Sequence, residues 1–130
     1  MNSVVEEVLK YAKDQYGTVP DSPWQRTPEA KVLRHSDNRK WYGLIFTATE
    51  KQLGIGQTDR RRDILNVKCD SALSASLRSR PGVLPGYHMN HVEWTTLLLD
   101  GTVPFEMIRN LLDMSYGLTA SKKARQKKSD

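Results

Sequence analysis

The residues with most to offer chemically lie in Pro85-Gly86-Tyr87-His88-Met89-Asn90 and the Trp94 that follows. A phenol, an imidazole, an amide and an indole stand within ten residues. Polar groups of this kind fix the orientation of an anion or a flat ring, and aromatic faces supply contact area. The bland alternative has Tyr87 and Trp94 packing the core while His88 and Asn90 hydrogen-bond an irregular turn. His88, His91 and Cys69 have the right donor types for a zinc site. The histidines nevertheless lie in a Pro-Gly turn, and nothing places Cys69 beside them, so no metal and no cofactor is expected. Cys69 ends a strand before a helix start, where the helix dipole favours thiolate. It also shares a face with Leu65 and Val67, which makes it a small buried hydrophobe.

Charge offers a second kind of chemistry. The chain of 130 residues has a formal net charge of +5. The last twelve residues hold Lys122, Lys123, Arg125, Lys127 and Lys128 against Asp130, a net of +4, and residues 1–118 carry only +1. A cationic tail with almost nothing apolar to bury is expected to stay disordered. It would attract any polyanion without reading its sequence. Within the body, Arg34, Arg39, Lys40 and Lys68 are candidate phosphate contacts. The run Asp59-Arg60-Arg61-Arg62-Asp63 is offset by its flanking acids and reads as a solvated loop.

These groups need a scaffold, and the pattern supplies one. Val4, Val5, Val8, Leu9, Ala12 and Tyr16 recur at helical spacing, with Asn2 or Ser3 to cap the helix and Gly17 to end it. Pro20, Pro23 and Pro28 keep the next stretch irregular, and Trp24 within it should lie on the core. Strands are expected at 32–35, 40–48 and 64–69, separated by a polar irregular segment over 49–63. Asp70 caps a helix to about Arg78 that buries Ala72, Leu73 and Leu77. An extended piece at Val83-Leu84, a strand over 94–99 and a helix from Pro104 to Tyr116 complete the order. The last helix should bury Phe105, Ile108, Leu111, Leu112 and Ser115 and stop at Gly117. The expected fold is α+β and two-layered: a mostly antiparallel sheet of about five strands with helices on one face, in the order α-β-β-β-α-β-β-α. It makes one domain over residues 1–118, followed by the tail 119–130.

The hydrophobic fraction of 38% supports a packed core. No apolar run approaches a membrane span. The start, MNSVVEEVLK, lacks the basic and apolar regions of a secretory leader. One cysteine fits a reducing, cytoplasmic setting. Gly-rich phosphate loops, Gly-x-Ser-x-Gly and His-Glu-x-x-His are all missing, so catalysis is not expected.

Pro23-Trp24, Val32-Leu33-Arg34-His35 and Asn38-Arg39-Lys40-Trp41-Tyr42 resemble the first signature of the MmcQ/YjbR family. Asn66-Val67-Lys68-Cys69-Asp70 is similar to the second, and Pro85 to Asn90 with Trp94 to the third. Leu98-Leu99-Asp100-Gly101-Thr102-Val103-Pro104, closing on Ser115-Tyr116-Gly117-Leu118-Thr119, is similar to the fourth. His91 and Glu93 stand where the family commonly has a lysine and a histidine. The resemblance implies a fold similar to secretion chaperones and to the double-wing DNA-binding domain of a phage transcription factor. By that fold analogy it implies DNA binding, and it implies no agreed enzymatic activity. Two functions therefore follow as expectations. One is a non-enzymatic DNA-binding module with salt-sensitive affinity. The other is a chaperone-like domain that binds a small ligand, a protein partner or a second copy of itself.

Overall fold

The computed structural model describes residues 3–27 and 29–121. α1 (Val4–Tyr16) starts where the Ser3 hydroxyl accepts from the Glu6 amide and ends at Gly17 in the left-handed conformation, φ 69°. Five strands follow: β1 (Lys31–Arg34), β2 (Trp41–Thr49), β3 (Arg61–Lys68), β4 (Val83–Pro85) and β5 (Trp94–Leu98). They form one sheet in the order β1-β2-β3-β5-β4, and every pairing is antiparallel. The short helices α2 (Glu50–Leu53) and α3 (Ser71–Leu77) sit in connections, and α4 (Phe105–Thr119) closes the fold.

α4 packs on β2 and β3, and α1 packs on α4, so both long helices cover one face. Leu33, Tyr42, Ile45, Leu65, Val67 and Leu97 meet Val8, Ile108, Leu111 and Leu112 in the main core. The α+β, two-layer expectation holds, with helical cover on one face and an antiparallel sheet.

Several local expectations change. Thr49 and Gln52 make a reciprocal capping box, so the polar stretch after β2 forms α2. β3 begins at Arg61, earlier than expected, so Arg61 and Arg62 are strand residues and not part of a solvated loop. Arg62 donates to Glu50 at 2.6 and 2.9 Å and reaches Asp100 at 3.5 Å. In α3 the buried residues are Ser74 and Leu77, while Ala72 is exposed, because the Ser74 hydroxyl pairs with that of Thr95 at 2.6 Å. Gly117 does not stop α4, which runs on to Thr119. There the Thr119 hydroxyl donates to the Ser115 carbonyl and accepts from His35 Nε2, both at 2.8 Å. Ala120 is buried, and Ser121 donates to Asp37 at 2.7 Å. The folded body thus continues through residues 119–121, where the tail was expected to begin; Lys122, Lys123, Arg125, Lys127 and Lys128 lie outside the described residues.

One side chain ties the layers together. Ser115 of α4 is fully buried where the β2–β3 ladder ends. Its hydroxyl accepts from the Lys68 amide at 2.9 Å and donates to the Tyr42 carbonyl at 2.6 Å. It supplies the rung that the two strands no longer make directly. Around it stands an aromatic cluster: Tyr16 stacks on Tyr116 at 3.9 Å, and Tyr42 meets both edge-on. Tyr11 donates to Asp113 at 2.8 Å, and Tyr16 donates to the same carboxylate. Burial pushes the Tyr42 phenol up to about 12.

Replacing Ser115 with Ala leaves a buried N–H and a buried C=O unpaired. Each orphan costs about 1–3 kcal/mol, so Ser115→Ala should destabilise the fold by about 2–4 kcal/mol in urea denaturation. A loss below about 1 kcal/mol would mean that the two backbone groups find other partners.

Candidate functional site

The sheet face opposite α1 and α4 has a different covering. Ala48, Ile64 and Leu98 form a small cluster there, with Phe46, Leu53, Leu84 and Tyr87 packed on it. Two polar residues on neighbouring strands, Asn66 and Thr96, are wholly buried on that face. They are satisfied by the loop that crosses above them. Asn66 Nδ2 donates to the Tyr87 carbonyl at 3.0 Å, the Tyr87 amide donates to Thr96 Oγ1 at 2.8 Å, and Thr96 donates to Asn66 Oδ1. Both backbone groups of Tyr87 are thereby fixed to the sheet. Its ring lies over Phe46 at 5.6 Å and 25°.

His88, the next residue, has a left-handed backbone, φ 59°. That conformation is uncommon for a non-glycine residue, although histidine adopts it more readily than most. Here the Tyr87 anchor on one side and the Met89 amide bonded to the Gly86 carbonyl at 3.3 Å supply the constraint. The turn carries His88 and Met89 to the edge of a cleft of about 440 Å³. Trp24, Trp41, Leu44 and Phe46 give it an apolar wall, and Glu29, Thr47 and Arg61 supply polar groups. Small-molecule sites commonly enclose roughly 300–1,000 Å³ with this balance of apolar wall and few polar groups.

The two tryptophans are placed by different means. Trp41 opens β2 and is half-buried; Trp24 comes from the proline-bearing connection and meets it edge-on at 5.8 Å and 80°. Trp24 was expected on the core, yet it is 40% exposed; the connection is held to β1 ahead of it, by the Asp21–Val32 bridge, the Arg34–Asp21 ion pair and the Lys31–Ser22 hydrogen bond. The Arg34 guanidinium lies 5.5 Å from the Trp41 ring centroid. Of the residues singled out from the sequence, His88 reaches the cleft, and Tyr87 backs it through Phe46. Asn90 builds its own turn, accepting from the Val92 amide at 2.8 Å and, by its carbonyl, from the Trp94 amide at 2.9 Å. Trp94 is half-buried, paired with Lys68 across the ladder, and is not part of the cleft wall.

The basic residues are placed less uniformly. Arg34 donates to Asp21 at 2.6 Å, and Arg39 donates to the same oxygen at 3.2 Å. Two candidate cations therefore share one carboxylate. Lys40 is exposed and Lys68 half-buried, at the same end of the sheet. Cys69 is buried, its amide bonded to the Glu93 carbonyl at 2.7 Å. Burial pushes its thiol up, away from the thiolate, which favours the packing role. Among the described residues no three His, Cys, Asp or Glu side chains gather as metal ligands. No described helix is long and apolar enough to cross a membrane.

The arrangement has relatives. The YjbR family model matches residues 13–118. The chain belongs to the YjbR family. It is 42% identical over 114 residues to the uncharacterised protein YyaQ of Bacillus subtilis (strain 168), covering 88% of this chain and 96% of that one. The uncharacterised protein YjbR of Escherichia coli (strain K12) is 28% identical over 90 residues, covering 68% of this chain and 74% of its own. A crystal structure of a Pseudomonas syringae protein superposes with a TM-score of 0.86 at 39% identity, covering 92% of this chain and all of that one. Deinococcus radiodurans DR2400 gives a TM-score of 0.71 at 26% identity, covering 96% of this chain and 87% of its own. In this YjbR-family chain the third sequence signature is thus the loop pinned over the open sheet face.

Gly86 sets how low that loop can lie. A Cβ there would sit 2.7 Å from the Trp94 backbone oxygen and 2.9 Å from its Cβ. Backbone cannot swing aside as a side-chain tip can, so the loop must rise. Gly86→Ala should cost about 1–3 kcal/mol and displace His88 and Met89 from the cleft. A thermal melt and the imidazole NMR signals would check this; an unchanged melt with unmoved signals would contradict it.

Proposed function

We propose that this chain is a non-enzymatic binding module that takes a small, flat, largely apolar ligand in the cleft between Trp24, Trp41 and the His88 loop. The observation that carries the reading is the open apolar recess beside a left-handed histidine turn whose preceding residue, Tyr87, is anchored to the sheet at both backbone groups. Two indoles beside a surface cleft leave apolar area in contact with water that a ligand would cover. Their faces suit a planar partner, and His88, Thr47 and Arg61 provide the polar edge that orients it.

Trp24 is the informative residue to change, because it hangs from a connection and contributes little to the core. Calorimetric titration with benzyl alcohol should detect binding that Trp24→Ala weakens about tenfold, at unchanged melting temperature. Equal affinity in the variant, or no heat from the parent chain at millimolar probe, would refute the cleft as a ligand site.

A second reading, salt-sensitive association with DNA phosphate, draws support from exposed Lys40, half-buried Lys68 and the five cations after residue 121. Arg34 and Arg39 contribute less to it, since Asp21 already neutralises part of their charge. Ending the chain at residue 121 keeps the docked Thr119 and Ser121. If all five cations meet phosphates, that truncation should flatten the log–log salt slope of DNA binding by about 4 to 5. An unchanged slope would assign the affinity to the body, and no binding at low salt would end the reading.

A further inference from the structure

The polar groups at the cleft mouth carry opposite signs. Glu29 Oε1 and Arg61 Nη2 stand 3.9 Å apart, too far for a good hydrogen bond, and both side chains are substantially exposed. Arg61 donates one N–H to Thr47 Oγ1, which fixes its guanidinium at the rim and leaves most of its donors unused. Glu29 has no other hydrogen bond among the described residues. A loose exposed pair of this kind holds itself together weakly. It can open to admit a ligand's own charges.

From this pair, and resting on the cleft reading above, the geometry points to a zwitterion of the α-amino-acid class as the ligand. Its carboxylate would meet Arg61, its ammonium would meet Glu29, and its aromatic or aliphatic arm would lie against Trp24 and Trp41. Other charge types fit less well. A simple acid gains Arg61 but faces the Glu29 carboxylate a few ångströms away. A simple amine gains Glu29 but faces the guanidinium. A neutral ring fills the apolar wall and leaves the two poles to each other. Only a ligand with both charged groups on one carbon replaces the internal pair with two external ones. The planar guanidinium also suits bidentate contact with a carboxylate.

Four matched probes test the assignment on the full chain: L-phenylalanine, 3-phenylpropanoate, 2-phenylethylamine and 3-phenylpropan-1-ol. Binding is read by calorimetry and by the indole N–H signals of Trp24 and Trp41. L-phenylalanine should bind at least about tenfold more tightly than each of the other three, about 1.4 kcal/mol. Glu29→Gln should erase its advantage over 3-phenylpropanoate, and Arg61→Gln its advantage over 2-phenylethylamine, while the alcohol binds each variant as it binds the parent. If all four bind alike, or the acid or amine binds best, the zwitterion is excluded and the apolar cleft stands. If none moves the indole signals at millimolar concentration, both the zwitterion and the cleft reading fall.

Discussion

A single hydroxyl governs how the two layers of this fold meet. Where β2 and β3 diverge, their last backbone donor and acceptor face the interior, and Ser115 reaches from α4 to satisfy both. Apolar contact alone would let α4 slide along the sheet, because hydrophobic burial has no direction. Two hydrogen bonds from a buried hydroxyl do have direction, and leaving either group unmade is expensive. They fix the height and rotation of the helix. The positions of Ile108, Leu111 and Leu112 against the sheet follow, as does that of Thr119 against His35. The tyrosine cluster and α1 then build on a helix that is already placed.

The other sheet face follows the same logic with a different element. Asn66 and Thr96 are polar residues in a region that would otherwise be as apolar as the cluster around Ile64. Their amide and hydroxyl hold the backbone of Tyr87, so the loop lies across the sheet as a fixed bridge. Its anchoring confines His88 to the left-handed region and sets one edge of the cleft. The opposite edge is formed by the connection into β1, which is held there through Asp21 and Ser22.

Much of the scaffold was legible in the residue order because its signals are local. Ser3 and Gly17 bracket α1 at helical spacing, and Asp70 caps α3. The capping box that makes α2 is equally present in Thr49-Glu50-Lys51-Gln52, but Gly54 and Gly56 close behind it are helix breakers and favour a loop. Gly117 looked like a stop because a glycine's cost is local. The gain that overrides it, the docking of Thr119 and Ala120, depends on His35 far away in sequence. Ser74 hid for a similar reason: a buried serine is recognisable only once its partner, Thr95, is known. The candidate site was half visible. The loop from Pro85 to Asn90 stood out by composition, and the structure places His88 at the cleft. The other wall, Trp24 against Trp41, and the sharing of Asp21 by Arg34 and Arg39 are contacts between separate segments, which no spacing rule reports.

The edge-on pairing of Trp24 and Trp41 also has an optical consequence. Two indoles at 5.8 Å with planes 80° apart are close enough, and skewed enough, for their electronic transitions to couple. The third tryptophan, Trp94, lies elsewhere on the sheet. The far-ultraviolet circular dichroism of the folded chain, where the strong indole transitions lie, should therefore carry an exciton contribution that depends on the distance between Trp24 and Trp41. The geometry of the two indoles thus has an intrinsic optical signature that needs no attached dye.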